Sequence, residues 1–208
     1  MVKNILYILG SVILFFAGMI CYGIVLNLKE IPLKEILAQK GLTEIKDPRL
    51  IIDRKNYQIK LYSDSKLIKT YKAVFGKTAG AVKTSKDDHV TPIGEYKICQ
   101  IDTLSKYHKF IRLNYPNLND AAEAYTRHYI SNDEYEAIAL ANRKNDCPPM
   151  ETKLGADIGI HGIGTYDIIF RNLPFSFNWT NGSIAISNES IDEIYSVIKI
   201  GTPVKITY

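Results

Sequence analysis

Ile5 to Leu28 is an unbroken run without a charged side chain. About 20 apolar residues at 1.5 Å per residue cross the hydrocarbon core of a bilayer, so this run suffices for one transmembrane helix. A cleaved signal peptide is the competing reading. Its apolar region is shorter and ends in a small-residue cleavage site, and no Ala-x-Ala-like site precedes Cys21. The expectation is an uncleaved anchor over residues 1–28, in contact with the membrane through residues 5–28. Lys3 on one flank and Lys29 and Lys34 on the other give no orientation.

Residues 29–47 place Leu33, Ile36, Leu37 and Leu42 at helical spacing and reach Gly41, a helix-stop residue. A short amphipathic linker helix is expected there. From Arg49 the apolar period changes to two. Ile51 to Tyr62, Leu67 to Phe75 and Glu95 to Ile101 alternate and are rich in Ile, Val, Tyr and Thr, which predicts strands. Gly76 to Asp88 reads as a loop, and Thr91-Pro92-Ile93-Gly94 as a turn. His89, beside that turn, reads as a surface histidine.

The strand pattern then breaks. Asn119 to Arg127 is rich in Ala and Glu, and Ser131 with Glu134 forms a capping box for a helix running to about Asn142. This predicts a helical insertion over one end of a β domain, with Tyr107, His108 and His128 as candidate cleft residues. Asp157 to His161 returns to a strand. Phe175, Phe177 and Trp179 are expected to pack beneath the following loop. Asn188 is expected to cap a helix from Glu189 to Ile198, whose first turns carry Glu189, Asp192 and Glu193.

Two short motifs frame the last third. His161-Gly162 ends one strand, and Thr180-Asn181-Gly182-Ser183 precedes the strand-like Ile184-Ala185-Ile186. On residue type alone these are a loop histidine and a turn serine, because Ser, Asn and Gly are ordinary turn residues. A histidine and a hydroxyl can also act together as base and nucleophile.

The stretch from Gly159 to Asn188 resembles the signature of the L,D-transpeptidase catalytic domain (YkuD-like family), which runs from His-Gly across a loop to Ser/Thr-x-Gly-Cys. The resemblance extends over residues 48–208. It includes Leu50 to Asp53 with Tyr57 to Tyr62, Thr70 to Lys77, Asp88 to Tyr96, Leu113 to Asn117, and Gly201 to Ile206. It implies a mainly β fold, a barrel or sandwich with a helical insertion and one late helix behind the transmembrane helix. It also implies acyl transfer on peptidoglycan stem peptides, with His161 as general base, position 183 as nucleophile, and backbone around Gly182 and Ser183 binding the oxyanion. Gly162, Thr180, Asn181 and Gly182 would line the oxyanion and substrate site. Two positions depart from the pattern: Ser183 stands where the family has cysteine, and Asn181 where it has His or Asp. A thiol with a pKa near 8.5 is a ready nucleophile beside histidine, whereas a serine must lose its proton during attack. Serine here therefore fits an active acyltransferase, a catalytically silent peptidoglycan-binding module, or a serine introduced by design. The wall substrate, rather than charge, implies a single-pass protein of a bacterial cell membrane with its domain on the outer, periplasmic or cell-wall, side.

The remaining composition narrows the partners. The net charge of +4, without a basic stripe interleaved with aromatics, argues against nucleic acid. Cys21, Cys99 and Cys147 have no metal-ligand spacing, and no metal or organic cofactor is expected. Cys99 reads as a small core residue. Cys147 reads as a second candidate nucleophile or, outside the cytoplasm, as a partner for Cys99. The sequence sets no oligomeric state.

Overall fold

The alternating segments after Arg49 form a curved, mostly antiparallel sheet in the computed structural model, which describes residues 2–27, 30–173 and 176–208. Helix α1 (Val2–Asn27) comes first, then the short α2 (Leu33–Gln39). Strands β1 (Pro48–Asp53), β2 (Gln58–Ser63) and β3 (Lys66–Lys72) make a meander. After β4 (Gly94–Asp102) and β5 (Phe110–Leu113), helices α3 (Leu118–Thr126) and α4 (Asn132–Arg143) interrupt the sheet. It resumes with β6 (Gly159–Gly162), a 3-10 turn with the one-turn α5 (Asp167–Phe170), β7 (Ile184–Ile186), α6 (Asn188–Tyr195) and β8 (Pro203–Thr207).

The eight strands run in the order β3-β2-β1-β8-β4-β5-β6-β7. Val74, just past β3, bridges Ala185 on β7, so the two ends of the sheet meet and the barrel is nearly closed. The inward residues are those the period of two selects: Leu50 and Ile52, Ile59 and Leu61, Tyr96 and Ile98, Val204 and Ile206. Strand β3 departs from strict alternation. Its register with β2 shifts at Leu61/Tyr62, and the extra residue lets Ile68 and Tyr71, three apart, both reach the core.

Segment 30–42 does more than link. Leu33 enters the main core, and Ile36, Leu37 and Leu42 pack against it. Glu193 of α6 accepts from Leu33 N at 2.7 Å and from Lys69 Nζ at 2.6 Å, and Lys69 also donates to Ile31 O. The segment behind the apolar helix is thus built into the domain.

The insertion has its own core of Ala121, Ala124, Ile130, Ile138 and Leu154. Ser131 and Glu134 cap α4 reciprocally, as their spacing predicts. Asn117 and Asp120 do the same for α3, a box that the carboxylate hides because Asp replaces the usual Glu/Gln. The insertion is stapled to β4 by a Cys99–Cys147 disulfide. This corrects two readings: Cys99 is not simply a core hydrophobe, and Cys147 has no free thiol to act as nucleophile.

Asp120 carries a pH dependence. Burial pushes its carboxyl up to about 6, against the lowering effect of bonds from Asn117 N and Tyr96 Oη. The folded state therefore holds this proton more tightly than the unfolded chain. The resulting stability is fully present below the unfolded value of 3.8 and is lost as pH rises through about 6. We expect urea unfolding to show Asp120→Asn, which keeps an acceptor but cannot titrate, gaining on the wild type by on the order of 2–3 kcal/mol between pH 4 and pH 7. Parallel pH curves for the two proteins would refute the assignment.

Candidate active site

The parallel pair β6–β7 determines what faces what. Ile160 pairs with Ile184 and His161 with Ala185, so the register aligns Ser183 with Gly159. Side chains alternate along each strand, which leaves His161 and Ser183 diagonal to each other on one face. Their Cα atoms are roughly 8 Å apart, from strand spacing and a two-residue rise. The same face carries Phe110 and Arg112, paired with His161 and Gly159.

His161 is only 3% exposed. Its ring lies 4.5 Å from that of Tyr107 and 6.0 Å from that of Phe110, and it meets Trp179 edge-on at 6.0 Å. Nδ1 is 2.7 Å from Gly162 O. A carbonyl only accepts, so Nδ1 donates and the neutral ring keeps its lone pair on Nε2. Burial lowers the imidazole pKa below its ordinary 6.5, outweighing the Gly162 bond and the Asp157 charge, which both raise it. The ring is therefore neutral, and able to accept a proton, at neutral pH.

The Ser183 hydroxyl is held by backbone. It donates to Asp157 O at 3.0 Å and accepts from Gly159 N at 3.2 Å. Among the described residues no hydrogen bond joins it to His161. Asp157 O belongs to a segment fixed from below by Arg112, a buried guanidinium that donates from Nε to Ala156 O and from Nη2 to Pro148 O. Burial lowers the Arg112 pKa and the exposed Asp157 charge opposes that shift. Neither residue has a local sequence motif; only the register of β5 against β6 reveals them.

The turn before Ser183 is tightly built. Thr180 is buried and pairs with the chain after β3, its N–H donating to Phe75 O and its carbonyl accepting from Lys77 N. Its hydroxyl donates to Ser183 O at 2.5 Å and accepts from Gly182 N at 3.2 Å. The Gly182 N–H is thereby engaged by Thr180. Asn181 is exposed at the tip. Gly182 has φ +119, and a Cβ there would lie 2.9 Å from Val90 O, so glycine meets both a conformational and a spatial requirement. At Gly162 an added Cβ would lie 2.6 Å from both Asn188 Oδ1 and Tyr107 O.

That contact exposes a different role for Asn188. The N-cap of α6 is Ser187, whose hydroxyl accepts from Ser190 N, and not Asn188. Ser187 has the extended backbone a cap requires, while Asn188 already begins the helix. The Asn188 amide instead grips Gly164 in both directions, accepting from its N–H and donating to its carbonyl, each at 2.9 Å. It thus ties the segment after His161-Gly162 to α6. We expect Asn188→Ala to cost about 1–3 kcal/mol and to speed hydrogen exchange at the Gly164 amide. Asn188→Asp, which can accept but not donate, should restore only part. Unchanged exchange in both variants would show that the grip does nothing.

Of the other candidates, Tyr107 reaches the imidazole, while His108 is committed to Asp192 of α6, which Lys109 also contacts. His128 sits with positive φ in the turn after α3. His89 is half-buried rather than a surface residue, and its buried Nδ1 has no hydrogen-bond partner among the described residues. Trp179 packs against His161 and Phe170, and Phe177 against Phe170; Phe175 lies outside the described residues.

Residues 47–206 match the YkuD family, described as the L,D-transpeptidase catalytic domain. No curated protein matches the chain. Among solved structures, Bd1075 of Bdellovibrio bacteriovorus is similar at 21% identity and TM-score 0.50, over 78% of this chain and 48% of that one. The helical cell shape determining protein Pgp2 of Campylobacter jejuni is 18% identical with TM-score 0.49, over 84% and 53%. An L,D-transpeptidase of Mycobacterium smegmatis is 10% identical with TM-score 0.47, over 78% and 59%. The chain thus spans about half the length of these structures.

Proposed function

Because the chain belongs to the L,D-transpeptidase catalytic-domain family, we propose that it is a membrane-anchored acyltransferase acting on peptidoglycan stem peptides, with Ser183 as nucleophile and His161 as base. In this reading residues 1–28 anchor it in a bacterial cell membrane, 29–47 connect while docking Leu33 into the domain core, and 48–208 form the catalytic-type domain on the outer side. The observation that carries the reading is the β6–β7 register, with a neutral imidazole and a hydroxyl on one face. The disulfide supports an oxidising location outside the cytoplasm. Helix α1 supports the anchor, because an 18-residue window within Val2–Val25 reaches a mean hydropathy of 2.4; a signal sequence shares that property.

The reaction follows from these groups. The Ser183 hydroxyl rotates from Asp157 O toward His161 and gives its proton to Nε2 as Oγ attacks the carbonyl carbon of an L–D peptide bond. The Ser183 N–H faces the developing oxyanion, since the Gly182 N–H serves Thr180. The imidazolium returns the proton to the departing amine, which leaves an ester on Ser183. An amine of a second stem peptide, or water, then displaces Oγ. Incubating the full chain with muropeptides and measuring its mass tests this. An acyl adduct on Ser183 supports the reading, and its persistence in Ser183→Ala refutes it.

One observation favours a second reading, a silent stem-peptide-binding module. The Ser183 hydroxyl is satisfied by two backbone groups and takes no bond from His161. Binding that survives Ser183→Ala, without adduct or product from the wild type, would select it.

A further inference from the structure

The apolar helix does not leave the domain freely. Over residues 2–25 of α1 the side chains are exposed except at Met19, Ile20 and Gly23, which lie on one helical face; Gly23 is buried. A Cβ on Gly23 would fall 1.9 Å from Asn172 O, so helix and domain touch backbone to backbone there. Asn172 lies two residues past α5, and at that short turn three large apolar side chains face outward: Tyr166, just before it, at 64%, Ile168 at 61% and Ile169 at 44% exposure. Single exposed apolar residues are ordinary, but three within four positions form a patch.

The span Val2–Val25 has 24 residues. At 1.5 Å each it is about 36 Å long, against a hydrocarbon core of about 30 Å. Gly23, two residues before the end, therefore lies near the boundary between hydrocarbon and headgroups. Asn172 shares that depth because it touches Gly23, and α5 is the turn immediately before it. Tyrosine and aliphatic side chains favour this zone. We propose that the segment from Tyr166 to Ile169 is a second membrane contact, seated in the lipid interface beside the anchor. This rests on α1 being an inserted anchor. It makes α5, which follows the end of β6, the bilayer-facing side of the domain. The helical insertion joins the start of β6 and faces away.

The test uses the full chain in phosphatidylcholine–phosphatidylglycerol vesicles, in a Cys21→Ser background that leaves the disulfide intact. A nitroxide is attached in turn at Ile13→Cys in the span, Ile168→Cys on α5 and Leu140→Cys on α4, a side chain 50% exposed. Its collisions with oxygen, which partitions into lipid, are compared with those of a water-soluble nickel chelate. The oxygen-to-nickel ratio is expected to be several-fold higher at 168 than at 140, approaching that at 13. Adding Gly23→Val, which forces the anchor away from Asn172, should move 168 toward the value at 140. A lipid value at 13 with equal values at 168 and 140 overturns the proposal and leaves the anchor standing. A water value at 13 overturns both.

Discussion

Replacing Cys99 and Cys147 together with alanine is expected to cost about 4 kcal/mol of stability, from the chain entropy of the closed loop. The bridge joins positions 48 residues apart, from β4 to the segment behind α4. That interval contains β5, α3 and α4, so the bridge restrains the insertion against the sheet as well as the unfolded chain. For a domain of this size such a loss lowers Tm by roughly 8–16 °C. Thermal unfolding of the oxidised, reduced and alanine-substituted proteins checks the prediction. Reduction should mimic the double substitution. A shift of a degree or two in both cases would mean that the insertion is held by its own core and by Arg112.

Ser183→Ala and His161→Ala are each expected to abolish acyl transfer, by on the order of 10³-fold or more, and together to cost little more than either alone. A base and a nucleophile act as one unit, so removing one leaves the other without a task. Ser183→Cys is expected to raise adduct formation. A thiol is a weaker hydrogen-bond donor than a hydroxyl, so Asp157 O would hold it less, and it yields its proton to a neutral imidazole more readily. The acid limb of kcat/KM should lie below pH 6.5, because burial lowers the His161 pKa and the neutral ring persists into weak acid. Turnover unchanged in His161→Ala would remove the base from the mechanism. A limb at or above 6.5 would contradict its burial.

Much of the fold was legible because its signals are local. Alternation in Leu50 to Tyr62 marks strands whatever they pair with, and the Ser131–Glu134 box marks a helix start by spacing alone. The bulge that buries both Ile68 and Tyr71 was not legible, since a register shift belongs to a pair of strands. Nor was the docking of Leu33, which depends on Glu193 and Lys69, residues brought to it only by folding. The candidate site divides the same way. His161, Gly162 and Thr180 to Ser183 stand out in the chain as two motifs. Arg112 and Asn188 hold backbone groups distant in sequence, and Asp157 receives Ser183 through its own carbonyl; none of these roles leaves a pattern in the chain.

By itself the sequence determined a long uncharged apolar run, a β domain with a helical interruption, and a histidine and serine at the ends of two strands. Each follows from the chemistry and period of neighbouring residues. The tertiary structure decided that those strands are parallel partners with both side chains on one face, that Cys99 and Cys147 are bonded, and that the Ser183 proton points at Asp157 O rather than at the imidazole. Those outcomes depend on which distant backbone groups and side chains come within hydrogen-bonding or bonding distance, and the closing of the barrel brings them there.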